Sequence, residues 1–84
     1  MNHRNPDAIA RGEEAMRLLA GPVFAEAFDA AIDLFVEEWR KSKPEETSKR
    51  ELAWAKLQGL DEVRRQLRRI ISQGEYASRQ PDER

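Results

Sequence analysis

The sequence contains no cysteine and a single histidine, His3, among its 84 residues. Without cysteine there is neither a disulfide framework nor a thiolate nucleophile. A zinc site needs several histidine or cysteine ligands, so one isolated histidine predicts no metal centre. The serines and threonines have no candidate base beside them, which leaves nucleophilic catalysis without support. We therefore expect a protein that is not an enzyme and that has no catalytic, cofactor-binding or metal-binding residues.

Long apolar runs are also missing. Glu26, Asp29 and Asp33 interrupt the most apolar stretch, and no run approaches the roughly 18 apolar residues of a membrane span. The N-terminal stretch lacks the apolar region of a signal peptide. These features predict a soluble protein that is neither secreted nor inserted in a membrane.

Strand-forming runs and hairpin dipeptides are absent as well, whereas Ala, Glu, Lys, Leu and Arg are abundant. This composition favours an all-α protein, and the length bounds it to one small domain, 1–84, with a marginal core. The net charge of −1 argues against a general attraction to nucleic acid or anionic membranes.

The longest helical pattern runs from Leu52 to Gln73. Its apolar residues follow the i, i+3, i+4, i+7 spacing of an amphipathic helix; they are Ala53, Leu57, Leu60, Val63, Leu67, Ile70 and Ile71. Thr47 or Ser48 suits the N-terminal cap, and Gly74 suits the C-terminal stop. The pattern predicts a helix over about 46–73, followed by a polar tail over 75–84.

A second apolar stripe precedes this helix and predicts another over about 22–43. Its members are Phe24, Phe28, Ala31, Ile32, Phe35 and Trp39. Pro44 ends this helix, and a short connection between two long amphipathic helices predicts an antiparallel hairpin. A shorter helix over about 7–20 precedes it, after a polar tail at 1–6.

Alignment of the two long helices about the turn predicts the contacts between them. It pairs Trp39 with Ala53, Phe35 with Leu57, and Phe28 with Arg64. The predicted hairpin core is Phe28, Ile32, Phe35 and Trp39 against Leu57, Leu60, Val63 and Leu67. Apolar residues beside the stripes, at Val23, Leu34, Val36 and Leu52, predict burial in a second subunit or a partner.

A cluster of arginines is the strongest local charge feature: Arg64, Arg65, Arg68 and Arg69. Four guanidinium groups within six residues suit phosphate binding. Asp61 and Glu62 neutralise part of that charge within the helix, and no aromatic residue interleaves to stack on bases. The pattern favours a solvated or partner-facing role over nucleic acid.

Two further features bear on binding. Trp54 lies among polar residues, so it is either a partly exposed interface anchor or is covered by the leading helix. Tyr76 is the one aromatic residue of the tail and a second interface candidate. Acids at Glu26, Asp29, Asp33 and Glu37 form a stripe that is typical of a solvated helix face rather than a cation site.

The order of several of these features matches a known group. Phe28 and Trp39 lie on the first long helix, a Pro/Glu/Thr turn follows, and Arg50-Glu51 precedes Trp54. A Leu-rich helix then closes with Gly74-Glu75-Tyr76-Ala77. Over roughly residues 18–77 the chain thus resembles short helical proteins encoded among the structural and DNA-packaging genes of tailed bacteriophages.

The resemblance implies a role in the virion or its assembly and brings no catalytic or binding residues. Our leading hypothesis is a small virion or morphogenesis protein, located in the virion or host cytoplasm, that docks on a larger protein partner in several copies. The alternative is a nucleic-acid-associated accessory factor, such as a DNA-packaging or regulatory subunit, that uses the arginine cluster.

Overall fold

Three helices account for nearly all of residues 6–79, the part of the chain that the computed structural model describes. They are α1 (Pro6–Ala20), α2 (Pro22–Lys41) and α3 (Thr47–Arg79). No strand occurs within residues 6–79, so the all-α prediction is confirmed. Residues 1–5 and 80–84 lie outside the described range, together with His3 and most of the two predicted tails.

The junction between α1 and α2 lies where the sequence predicts it. The N–H of Gly21 donates to the carbonyl of Leu18 at 3.1 Å and closes the last turn of α1. Pro22 then opens α2, where its fixed φ and missing N–H are tolerated in the first turn of a helix.

The C-terminal end of α2 comes at Lys41, two residues before the predicted end at Lys43. The hydroxyl of Ser42 donates to the carbonyl of Trp39 at 2.5 Å, and the Ser42 N–H donates to the same carbonyl at 3.2 Å. These bonds satisfy a carbonyl that the helix end leaves without an i+4 donor. The helix thus ends at Lys41, and Ser42 caps its last turn.

The N-terminal cap of α3 was predicted at Thr47 or Ser48, and that prediction is wrong. Arg50 donates its N–H to the carbonyl of Glu46 at 3.1 Å, so Glu46 immediately precedes the first turn. Glu46 also accepts the Lys43 N–H on Oε1 at 2.7 Å and donates its own N–H to the Lys43 carbonyl at 2.9 Å. These two hydrogen bonds between Lys43 and Glu46 hold the turn between α2 and α3.

The C-terminal end of α3 corrects a second prediction. The helix passes through Gly74 and ends at Arg79, so residues 75–79 are helical rather than a tail. Gly74 does not adopt the left-handed conformation of a helix stop, since none of the described glycines has positive φ. Its missing side chain instead permits close packing on α1.

The chain divides into two compact units. The first comprises 1–21 and 65–84, so its described part is α1 with the C-terminal portion of α3. The second comprises 22–64, which is α2 with the N-terminal portion of α3.

The first unit is built on very small residues. Its buried positions are Ala8, Gly12, Ala15, Gly74 and Ala77, and their spacing places them on one face of each helix. A Cβ built on Gly74 would lie 2.8 Å from the Ala8 carbonyl oxygen and 3.0 Å from the Gly12 Cα. The two backbones are therefore in direct van der Waals contact.

The second unit is built on aromatic rings covered by cations. Arg50 lies 4.1 Å from the Trp39 ring centre, Lys56 lies 5.2 Å from that of Phe35, and Arg64 lies 4.5 Å from that of Phe28. The predicted pairing of Phe28 with Arg64 is confirmed. Trp39 meets Arg50, one turn before the predicted Ala53.

Two members of the predicted core are exposed. Trp39 is 42% exposed and Val63 is 50% exposed. Val63 lies about 100° around the helix from Arg64, the residue whose side chain lies over Phe28, and so lies to one side of that contact. Trp39 stands in the last turn of α2, where the Arg50 guanidinium of α3 lies 4.1 Å from its ring centre. The core of this unit is accordingly narrower than the apolar stripes predict.

Candidate functional site

Many large apolar side chains of the described residues are exposed. Among residues 6–79, Phe28 is the only large apolar side chain that is buried. The exposed ones are Met16, Leu18, Val23, Leu34, Val36, Trp39, Leu52, Trp54, Val63 and Tyr76. Single exposed apolar residues are ordinary, but groups of them mark interaction surfaces. The grouping of these residues therefore indicates where a site could lie.

One group forms a groove between α2 and α3 in the second unit, which we call the tryptophan face. Its lining residues are Val36, Trp39, Trp54 and Leu57, and its volume is about 270 Å³. Trp54 is 60% exposed, so of the two alternatives that the sequence leaves open, exposed or covered by the leading helix, the exposed one is observed. Its interface role stays a prediction.

Arg50 fixes the position of Trp39 within this face. Its guanidinium stacks over the indole, and its Nη1 donates to the carbonyl oxygen of Ser42 at 3.2 Å and to Ser42 Oγ at 3.3 Å. One cation thus ties the indole to the turn that follows α2. A side chain held in this way loses little rotamer freedom on binding, which favours an interface role.

The volume and chemistry of the tryptophan face limit what can bind there. Small-molecule pockets usually enclose about 300–1,000 Å³ and carry a few convergent polar groups. This groove is smaller, and all four of its lining residues are apolar. It therefore suits a large side chain of another protein better than a small ligand.

Acidic residues border the tryptophan face. Asp33 precedes Val36 by three residues and Glu51 precedes Trp54 by three, so each lies beside that residue on its helix. Asp29 lies on the same side of α2, two turns before Val36. All three are exposed, and none forms an ion pair with a described residue. Arg40, which follows Val36 by four, pairs with Glu37 at 3.4 Å. Arg50, whose guanidinium lies over Trp39, adds a positive charge to the same border.

A second exposed surface of the same unit carries Leu34 and Leu52, and we call it the leucine face. Leu34 is two residues from Val36, and Leu52 is two residues from Trp54. Positions two apart lie about 200° around a helix, so the leucine face is opposite the tryptophan face. Leu34 is 56% exposed and Leu52 is 57% exposed.

Basic residues border the leucine face. A groove of about 410 Å³ there is lined by Glu38, Lys41, Ser42, Lys49, Leu52 and Lys56. Lys56 Nζ lies 3.2 Å from Glu38 Oε1, which neutralises part of the charge. Lys41 Nζ lies 3.9 Å from Glu37 Oε2 and Lys49 Nζ lies 3.1 Å from Glu46 Oε2, so each of the three lysines is paired with a glutamate.

The predicted arginine cluster is not uniform in its surroundings. Arg64 is half-buried over Phe28, and Arg69 Nε donates to Gln66 Oε1 at 3.0 Å. Arg65 and Arg68 are exposed on α3. One of the four guanidinium groups is therefore committed to an aromatic ring of the same chain.

Tyr76, the remaining predicted interface residue, is 67% exposed on the last turns of α3. Because α3 extends beyond Gly74, this tyrosine is presented from a helix rather than from a tail. Its role in an interface stays a prediction.

Two contacts were not predicted from the sequence: the Arg50–Trp39 stack and the close approach of Gly12 and Gly74. The glycine contact had a visible signal, because Ala8, Gly12 and Ala15 recur at helical spacing. The stack had none, since a basic residue eleven positions from a tryptophan is common in helical sequences.

No three acidic or histidine side chains of residues 6–79 converge as they would around a metal ion. No helix in the described part of the chain has both the length and the apolar character needed to cross a membrane. Comparison with family models, with curated proteins and with solved structures finds no match to this chain. The bacteriophage resemblance stays a prediction.

Proposed function

We propose that this protein is a non-catalytic assembly component that docks on a larger protein partner in several copies. The single observation that supports this most is the burial pattern. The side chains buried among residues 6–79 are small apart from Phe28, while ten large apolar residues remain exposed. Burial of such residues against another chain adds roughly 25 cal/mol for each Å² removed from water.

The binding element in this proposal is a helical hairpin formed by residues 22–64. Three contacts support an antiparallel arrangement: Trp39 with Arg50, Phe35 with Lys56, and Phe28 with Arg64. As the α2 residue of a contact lies farther before the turn, its α3 partner lies farther after it. A hairpin presents two opposite surfaces to partners, and both surfaces of this one carry exposed apolar residues.

The biological setting we propose is a virion or its assembly in the host cytoplasm. It rests on the resemblance of residues 18–77 to short helical proteins of tailed bacteriophages. The second candidate, a nucleic-acid-associated factor, has weaker support, because Arg64 is engaged with Phe28. Exposed Arg65 and Arg68 are what favour it.

Two measurements on the purified chain test the proposal. Size exclusion with light scattering should give a mass above that of one chain, or a defined complex with the partner protein. Heparin chromatography should give little retention at physiological salt. Strong retention that falls steeply with salt would instead favour the nucleic-acid candidate.

A further inference from the structure

We propose that α3 opens locally at Gly59, so that about one turn of the helix unfolds and refolds while the rest of the protein stays folded. The inference goes beyond the proposed function, because it concerns one helix and holds whichever partner the protein docks on. It rests on the surroundings of the glycines and on the exposure of the residues beside Gly59.

Gly59 differs from the other glycines because no contact requires it. All four glycines of the chain lie within residues 6–79. A Cβ on Gly12 or Gly74 would meet the backbone of the other, and a Cβ on Gly21 would lie 3.4 Å from two carbonyl oxygens of α1. A Cβ on Gly59 would meet nothing within 4 Å, and its φ is not positive. What distinguishes this glycine from an alanine is therefore its backbone freedom, which favours the unfolded state.

The residues around Gly59 are held by little packing. Of residues 58–63, five are exposed and only Leu60 is partly buried. Asp61 and Glu62 do take part in interactions, but contacts of exposed charged side chains stabilise little. A helical turn with few buried side chains and with backbone hydrogen bonds near solvent opens at a low cost in free energy.

Contacts with α2 on either side confine the opening to this stretch. Lys56 lies over the Phe35 ring and Arg64 lies over the Phe28 ring, and both cations are partly buried. Residues 58–63 lie between these two contacts. They end just before residues 64 and 65, where α3 passes from the second unit into the first. The opening therefore interrupts α3 near the point where it leaves the second unit.

Hydrogen exchange of the intact chain, followed by NMR, tests this inference. The amides of residues 60–63 report on the opening, because their helical acceptors are the carbonyls of residues 56–59. They should exchange with a lower free energy of opening than the amides of residues 53–56 and 68–71. Their exchange should also change little at low concentrations of urea, since a local opening exposes little surface.

Two variants test whether the glycine causes the opening. Gly59→Ala should slow exchange of the amides of residues 60–63 by about fivefold, the factor that corresponds to the difference in helix propensity between glycine and alanine. Gln58→Ala is the matched control, because it changes the exposed neighbouring residue and keeps the glycine. It should leave the exchange of these amides within about twofold of the wild type.

Two outcomes would overturn the inference. If the amides of residues 60–63 share the free energy of opening and the urea dependence of the flanking amides, α3 opens only when the protein unfolds as a whole. If their exchange is unchanged in Gly59→Ala, the glycine is not the cause of the opening. Neither outcome bears on docking in several copies, which the measured mass of the protein tests separately.

Discussion

Gly12 and Gly74 lie so close that a side chain on either one would meet the backbone of the other. A Cβ on Gly12 would be 3.1 Å from the Gly74 Cα, and one on Gly74 would be 3.0 Å from the Gly12 Cα. Real Cβ atoms seldom approach a neighbouring atom so closely, so α1 and α3 would have to separate. The contact makes these two glycines the most constrained positions of the first unit.

Gly74→Ala should therefore destabilise the protein by about 1–3 kcal/mol, although alanine is the better helix former. Gly59→Ala is the matched control, because glycine 59 is also inside α3 and an added Cβ there meets nothing within 4 Å. That substitution should stabilise by up to about 1 kcal/mol. Urea unfolding of both variants measures the difference, and equal effects of the same sign would contradict the close contact.

Phe28→Ala should cost about 3–5 kcal/mol, enough to unfold much of a small domain. Phe28 is 8% exposed, its ring centre is 5.5 Å from that of Phe24, and Arg64 covers it. Phe35→Ala should cost less because that ring is only half-buried. Val23→Ala, at a residue 76% exposed, should change stability by less than about 0.5 kcal/mol. Thermal melting ranks the three variants.

Arg50→Lys tests the stack over Trp39. Lysine keeps the positive charge but loses the planar group that stacks on the indole while donating to Ser42. We expect a loss of about 1 kcal/mol and a change in tryptophan emission as Trp39 becomes more mobile. Arg40→Lys, whose side chain is 71% exposed, is the control and should leave both quantities unchanged. An Arg50→Lys variant indistinguishable from wild type would show that the stack contributes nothing.

Glu46→Gln tests the turn before α3. The backbone N–H of Lys43, and then the side chain of Lys49, hold the pKa of Glu46 below its ordinary value of 4.5. A carboxylate whose pKa is lowered in the folded state adds stability that is present at neutral pH and is lost as pH falls through that pKa. The wild type should therefore melt above Glu46→Gln at pH 7, and the two should converge well below pH 4.5. A difference in melting temperature that persists below pH 4.5 would show that the substitution acts through hydrogen-bond geometry rather than through the charge of Glu46.

Periodicity explains why the helices could be predicted and why their ends could not. The apolar stripes placed α2 and α3, and the turn alignment placed Phe28 against Arg64. The wrong ends share one cause, since Ser42, Glu46 and Gly74 each act through contacts with other residues. Gly74 has the local character of a helix stop, and only its packing against Ala8 and Gly12 keeps it inside α3.

Only part of the candidate site could likewise be predicted from the sequence. Trp54 stands outside the apolar stripe in the sequence, which left open whether it is exposed or covered by the leading helix. The groove beside it required Trp39 to be exposed as well, and the apolar pattern places Trp39 in the core. Trp39 differs from this prediction because Arg50 lies next to its indole. Arg50 is charged, so apolar periodicity does not assign it to a core.

The small buried residues of the first unit affect how its stability depends on temperature. They are Ala8, Gly12, Ala15, Gly74 and Ala77. The heat capacity of unfolding grows with the apolar surface that becomes hydrated, and such small residues expose little of it. These residues also have almost no rotamer entropy to lose when they pack. The stability of this unit should therefore change only gently between cold and warm conditions, whereas the aromatic contacts of the second unit give it a more sharply curved dependence on temperature.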